Sequence, residues 1–271
     1  MTGHVGCCGL CHTTRELRDS HLLPAGSYKL SRIDSRSDPN PVVVSKGRSF
    51  TTSRQVSAYF LCSECEDKFS RNGERYVFNQ CARPGGEFKL REILGPETPV
   101  CVDAKFKIYD VTRLLGTRVD QYIYFAAGVF WRASAHRWTF DGRALDLISF
   151  GSKYQEEFRL YLLGEAAFPE NGRIFVHVWN DNPIDFTTTT PTSFRLEGVR
   201  RHKFCIPGIT FILFLGGDVP KNHDQAALNS TRGNFMWSCR WSDDSLFGSF
   251  LDAIKDSQPS ASLRAKASRR G

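Results

Sequence analysis

Long apolar runs are missing from this chain. Phe211–Leu215 is a purely apolar stretch, and it is far too short to span a bilayer, which takes roughly 20 residues. The opening MTGHVGCCGLCH has neither a basic n-region nor an apolar h-region, so no secretory signal is read. The expectation is a cytoplasmic protein with no membrane partner. A Gly-x-x-x-x-Gly-Lys phosphate loop is also missing, which excludes an intrinsic P-loop ATPase. No internal repeat is visible. At 41% hydrophobic and 24% charged residues, the chain is not depleted of apolar side chains, which excludes a wholly disordered polymer. Its 271 residues suffice for one large core or two smaller ones.

The charge of one sign is in modest excess, with 36 basic and 29 acidic side chains for a net +7. The excess is uneven: +3 over residues 1–100, zero over 101–254 and +4 over 255–271. A basic surplus suits an anionic partner such as nucleic acid, although basic tails are often only solubilising. The nine cysteines are odd in number and lack a secretory context, which argues against a disulfide framework. Five of them cluster, as Cys7-Cys8-x-x-Cys11 and Cys62-x-x-Cys65.

Composition divides the chain into four parts. Residues 1–83 hold both cysteine clusters and read as a small metal-stapled module with a long insertion. Residues 84–100, with three prolines and three glycines, read as a linker. Residues 101–254, rich in aromatics, form a second unit with its own core, available to a protein partner or a second copy. Residues 255–271 are Ser-, Ala-, Arg- and Lys-rich and are expected to be a disordered basic tail.

Helical spacing of Leu61, Cys65, Phe69 and Tyr76 predicts a helix from about Cys62, which Gly73 weakens or ends. Tyr122, Ile123, Ala126, Ala127, Phe130 and Trp131 predict a central helix that is apolar nearly all round. A third helix is expected from Ser152, with Gln155 completing a capping box. Beyond it Arg173–Trp179, Ser193–Arg200 and Ile209–Leu215 read as strands. The second unit is therefore α+β, helices first and strands after.

Two Cys-x-x-Cys pairs supply four thiolates, and the short spacing lets both sulfurs of a pair reach one ion. Zn²⁺ is the default for such a set because it accepts soft ligands in a tetrahedron. The assigned ligands are Cys8, Cys11, Cys62 and Cys65; Cys7 can replace Cys8, and His12 is a weaker substitute. A closed four-thiolate site has no open position, so this zinc is a folding staple and any chemistry comes from elsewhere.

CGLC, then LRDSHLLP, then YFLCSECEDKF resembles the HNH (His-Asn-His) endonuclease family over about residues 7–78. The resemblance implies a zinc-containing treble-clef, or ββα-metal, module followed here by a separate α+β domain. It implies His21 as the general base that takes a proton from attacking water, a role suited to an imidazole that is neutral at cellular pH. The family places a metal-binding Asp directly before this histidine. Ser20 stands there, with Asp19 one residue further back and, on a regular strand, on the opposite face. The family's middle Asn corresponds to Ser57, and its last His to Glu66. Glutamate is a hard ligand suited to Mg²⁺ or Mn²⁺, and Glu74 lies nearly on the same helical face. The usual set thus reads His-Ser-Glu.

The resemblance implies a metal-dependent endonuclease hydrolysing phosphodiester bonds in DNA, with His21, Glu66, Asp19 and Glu74 as its catalytic set. The alternative is a catalytically inactive zinc module that binds nucleic acid or protein. Either would use the bases between the cysteine pairs, Arg15, Arg18, Lys29, Arg32, Arg36, Lys46, Arg48 and Arg54, against four acids. Weaker signals are Glu87-x-Lys89 with Asp103-x-Lys105, faintly like another metal-dependent nuclease class. His177 is expected on an outer strand face, Arg200–Lys203 in a basic surface turn, and Cys81, Cys101, Cys205 and Cys239 as buried free thiols.

Overall fold

A computed structural model describes residues 3–31, 40–45, 47–114, 118–181, 186–196, 199–216 and 224–267. The chain opens with β1 (Val5–Cys7), β2 (Thr14–His21), α1 (Ala25–Leu30), β3 (Val42–Ser45), β4 (Arg48–Thr51) and β5 (Ser57–Cys62). From β5 it runs straight into α2 (Ser63–Phe69), a π-helical turn (Ser70–Glu74) and α3 (Arg75–Gln80). Then come α4 (Lys89–Leu94), β6 (Cys101–Val102), β7 (Phe106–Asp110) and the long α5 (Val119–Ala135). The hairpin β8 (Thr139–Phe140) and β9 (Arg143–Ala144) leads to α6 (Ser152–Leu163). The remaining strands are β10 (Gly172–Trp179), β11 (Thr192–Leu196), β12 (Val199–Ile206), β13 (Ile209–Leu215), β14 (Phe235–Cys239) and β15 (Gln258–Pro259). The fold is mixed α+β.

Two sheets frame the molecule. The N-terminal one has the order β1-β2-β5 and is antiparallel throughout. The larger one has the order β11-β12-β13-β10-β14-β7-β6, with β10 and β14 as its parallel pair. Alternation along β10 divides that sheet into two faces. Ile174, Val176 and Val178 join the main core, whereas Phe175 and Trp179 belong to two smaller clusters on the other side.

α5 lies between the sheets and explains the main core. Its Phe125 packs on Phe204 (6.1 Å between ring centroids) and Phe211 (5.3 Å) of the large sheet. Its Trp131 stacks on Phe60 (5.6 Å) and Phe69 (6.2 Å) of the cysteine-bearing segment. A helix with apolar side chains all round needs neighbours on every side. One buried cluster accordingly runs from Cys8 to Met236.

The helix after Cys62 does not stop at Gly73. It passes through the π-helical turn and continues to Gln80. Gly73 instead permits close approach: a Cβ there would stand 2.9 Å from the Phe125 nitrogen and 3.0 Å from the Gln121 carbonyl oxygen of α5. The predicted α6 starts at Ser152, but the cap is Gly151 and no side-chain cap bond forms, so Ser152 and Gln155 make no capping box.

Several other expectations differ from the structure. The stretch read as a linker contains α4, with Phe88, Leu90 and Leu94 buried. The segment read as one strand over 193–200 spans the end of β11 and the start of β12. Strand β7 precedes the helices of the second unit. Arg201, His202 and Lys203 are not in a surface turn but buried in β12. Cys101 is exposed, unlike Cys81, Cys205 and Cys239. In the stretch read as a disordered tail, β15 pairs with β4 and a helix spans Ala261–Ala267. Residues 268–271 lie outside the described residues, as do Arg32, Arg36 and Lys46 of the basic insertion. Among the described residues no helix is long and apolar enough to cross a membrane.

Candidate metal centre and the neighbouring histidine

The first cysteine pair lies in the turn between β1 and β2. The Cys8 amide donates to the Thr13 carbonyl (3.0 Å), and the His12 amide donates back to the Cys8 carbonyl (2.9 Å). His12 closes the turn in the left-handed region at φ 57°. The second pair straddles the junction of β5 and α2. Cys62 is the last extended residue, and Cys65 sits one turn into the helix. Antiparallel pairing of β2 with β5 puts Leu17 opposite Cys62, which brings the two pairs together.

A β-bulge locks this junction. Arg18 faces Leu61 and Asp19 faces Tyr59, so Phe60 has no counterpart on β2. The freed Phe60 carbonyl accepts from the Gly9 amide (2.9 Å) in the cysteine turn. The freed Leu61 amide donates to the Ser20 hydroxyl (3.0 Å). Gly9 is required here, since a Cβ would overlap the Phe60 ring.

The sulfurs of Cys8, Cys11, Cys62 and Cys65 all lie within 4.8 Å of one another and could hold a metal ion. Cys11 Sγ is 4.0 Å from Cys62 Sγ. A tetrahedral ion with metal–sulfur bonds of 2.3 Å needs sulfur separations of about 3.8 Å, so the donor set fits with little adjustment. The Cys62 amide points at Cys8 Sγ (3.3 Å), a donor suited to a thiolate. The hydrogen bond from Cys65, with amides of the same turn, pulls the Cys8 thiol far below its usual range. The bond to Cys8, then burial, pushes Cys65 up, and burial raises Cys62. Four adjacent thiols cannot all ionise without a cation among them. Cys7 and His12 are outside the set. Cys7 is exposed, its thiol directed to the Cys8 carbonyl (3.9 Å).

His21 ends β2 directly across from Ser57 and is half-buried. Its ring lies 6.3 Å from that of Tyr28 on α1. The Tyr28 hydroxyl accepts from the Val56 amide (3.4 Å), and burial pushes its pKa up to about 12. Asp19 is exposed, while Ser20 is buried. Ser20 therefore holds the bulge rather than a ligand position.

Glu66 and Glu74 meet a residue that the sequence did not single out. Arg132 of α5 is buried and donates to Glu74 Oε1 (2.9 Å), with Glu66 Oε2 at 3.8 Å. Its guanidinium also lies 4.1 Å over the Phe69 ring. Burial pushes the Glu74 carboxyl up, opposed by Arg132 and reinforced by Glu66. His21, Asp19, Glu66 and Glu74 do not form a donor group of the kind the cysteines make, among the described residues. The available signal for Arg132 was a single cation inside an apolar helix, which needs a buried anion. Comparison with family models, curated proteins and solved structures finds no match to this chain.

Proposed function

We propose that Cys8, Cys11, Cys62 and Cys65 hold a structural Zn²⁺, and that this chain is an HNH-like, treble-clef zinc protein that binds nucleic acid without cutting it. Zinc suits four thiolates because it has no redox demand and accepts a tetrahedron of soft ligands. The order of pieces supports the resemblance: a cysteine turn, a strand ending in His21, a partner strand, and a helix that opens on the second pair.

One observation carries the non-catalytic reading. Glu66 and Glu74, the acids that would serve a catalytic divalent ion, are both turned to the buried Arg132. A carboxylate neutralised by a buried guanidinium is a poor ligand for a second cation. These acids then work structurally, tying α2 and the π-helical turn to α5. Exposed Arg18 and Arg48 belong to the basic surplus between the cysteine pairs and suit phosphate contacts.

A second reading has its own support. His21 faces Ser57 at the end of a two-strand ribbon that feeds α2, as a water-activating histidine of an HNH nuclease would. That reading has His21 accept a proton from water while Mg²⁺ or Mn²⁺ supplies charge at the phosphate. Plasmid DNA incubated with the Zn²⁺-loaded chain and either ion separates the two. Salt-sensitive retardation of DNA with no divalent-dependent nicking supports the binding reading. Nicking that is lost in His21→Ala supports the nuclease instead and overturns it.

A further inference from the structure

A second group of donors lies on the far face of the large sheet. We propose that His177, Cys239 and Asp244 form a second metal site, built for a divalent ion of the Zn²⁺ type and independent of the four-cysteine cluster. One ring nitrogen, one sulfur and one carboxylate oxygen of these residues lie within 4.8 Å of one another, and all three side chains are buried.

The topology explains why they meet. β10 and β14 run parallel with His177 beside Trp237 and Trp179 beside Cys239. His177 and Cys239 are therefore diagonal neighbours on one face. After Cys239 the chain makes a single 3-10 turn, Trp241–Asp243, and returns Asp244 over that face. His177 Nδ1 and Asp244 Oδ2 stand 3.1 Å apart. The site thus draws a donor from each of three chain segments.

The surroundings hold each donor in place. Asp244 Oδ1 accepts from the Leu246 amide (2.8 Å). Thr210, which receives the Trp179 indole N–H (3.1 Å), also supports the Asp244 carboxylate. The His177 ring stacks on Trp237 at 5.6 Å and tilts against Phe106 at 5.7 Å. Such outer partners are what fix ligand orientation at metal centres. The Cys239 sulfur makes no hydrogen bond among the described residues, although it faces a polar pair. A metal would give this thiol the partner it lacks.

The chemistry also balances. Tetrahedral Zn²⁺ with bonds of 2.0–2.3 Å needs donor separations of roughly 3.3–3.7 Å; the His177–Asp244 pair at 3.1 Å would open slightly, and the Cys239 sulfur, within 4.8 Å of both, would move in by up to about 1 Å. A neutral histidine, a thiolate and a carboxylate together offset the two charges of the ion. On binding, the thiol proton of Cys239 leaves to solvent as the sulfur–metal bond forms. His177 binds through Nδ1 with its proton on Nε2, and the His177–Asp244 hydrogen bond is replaced by two bonds to the ion. Lys203 on β12 is one of the cations on this face, and it donates to the Ser245 carbonyl (2.5 Å), next to Asp244. Three protein donors leave the fourth position for water or an added ligand.

The test is metal content of the full chain, saturated with Zn²⁺, desalted and measured by mass spectrometry. His177→Gln and Cys239→Ser should each hold one ion fewer than the wild type. Replacing the Zn²⁺ by Co²⁺ in wild type and Cys239→Ser reads the sulfur directly: part of the thiolate-to-cobalt absorption should be absent in the variant. Far-UV circular dichroism selects the variant that keeps the fold, and either suffices. An ion count in a folded variant equal to that of the wild type overturns the site, whatever the absolute number.

Discussion

Arg132 on α5 donates to Glu74 on the π-helical turn at 2.9 Å, a buried guanidinium meeting a half-buried carboxylate. This pair joins the segment that carries the second cysteine pair to the helix that carries the large sheet. It also decides the fate of an acid that otherwise resembles a metal ligand.

Breaking that pair from one side should be costly. Arg132→Met leaves the half-buried Glu74 carboxyl without its donor, and unfolding in urea should show a loss of about 1–3 kcal/mol. Adding Glu74→Gln to it should recover part of the loss. Equal stability of the single and double variants would show that the two side chains are not coupled.

The same carboxyl predicts a pH dependence. Its folded pKa is raised, by burial first. Between the ordinary glutamate range and that raised value the folded state binds more protons than the unfolded state. Stability from this group is therefore present in acid and lost as pH rises through the folded pKa. Urea titrations across that window should show a falling contribution in the wild type that Glu74→Gln lacks.

His202 has the opposite sign. Burial, then Arg200, lowers its pKa to about 4. Between pH 4 and the ordinary histidine value the unfolded state binds the extra proton, so stability falls as pH drops through this range. The contribution is about 3 kcal/mol at 1.36 kcal/mol per unit. The difference in unfolding free energy between wild type and His202→Phe, followed from pH 7 to pH 4, should change by that order. The Ser193 hydroxyl on its Nδ1 (2.8 Å) fixes the ring, so Ser193→Ala should have a smaller effect.

Metal removal should be felt beyond the N-terminal sheet. Phe60, bracketed by the bulge, stacks on Trp131 at 5.6 Å within the main core. A structural four-thiolate zinc site contributes on the order of 10 kcal/mol in small domains. A strong chelator, or Cys62→Ser with Cys65→Ser, should therefore lower the melting temperature and change tryptophan emission together. Emission that stays constant while the metal leaves would separate the site from the core.

Close approach predicts which glycines matter. Gly9→Ala drives a methyl into the Phe60 ring, and Gly73→Ala drives one into the backbone of α5. Each should cost about 1–3 kcal/mol in chemical denaturation. Gly248→Ala, with open space around it in the helix Phe247–Lys255, should be neutral or stabilising by about 0.5–1 kcal/mol.

The parts of this fold whose signals are local can be read along the chain. Cys-x-x-Cys spacing puts two sulfurs on one turn, so both pairs were legible without knowing how they meet. The apolar periodicity of α5 and the run of β-branched, aromatic and leucine side chains over Ile209–Leu215 likewise depend only on neighbours in the chain. Tertiary structure alone decided what each polar side chain does. Cys8 rather than Cys7 faces the other pair because the turn at His12 orients it. Ser20 meets a bulge whose extra residue lies 40 positions away. Glu66 and Glu74 meet Arg132 only because Gly73 lets two helices touch, and His177 meets Asp244 only because the chain folds back after Cys239. A buried charge or donor must find its partner wherever packing brings one, and sequence spacing carries no record of contacts 58 or 67 residues apart.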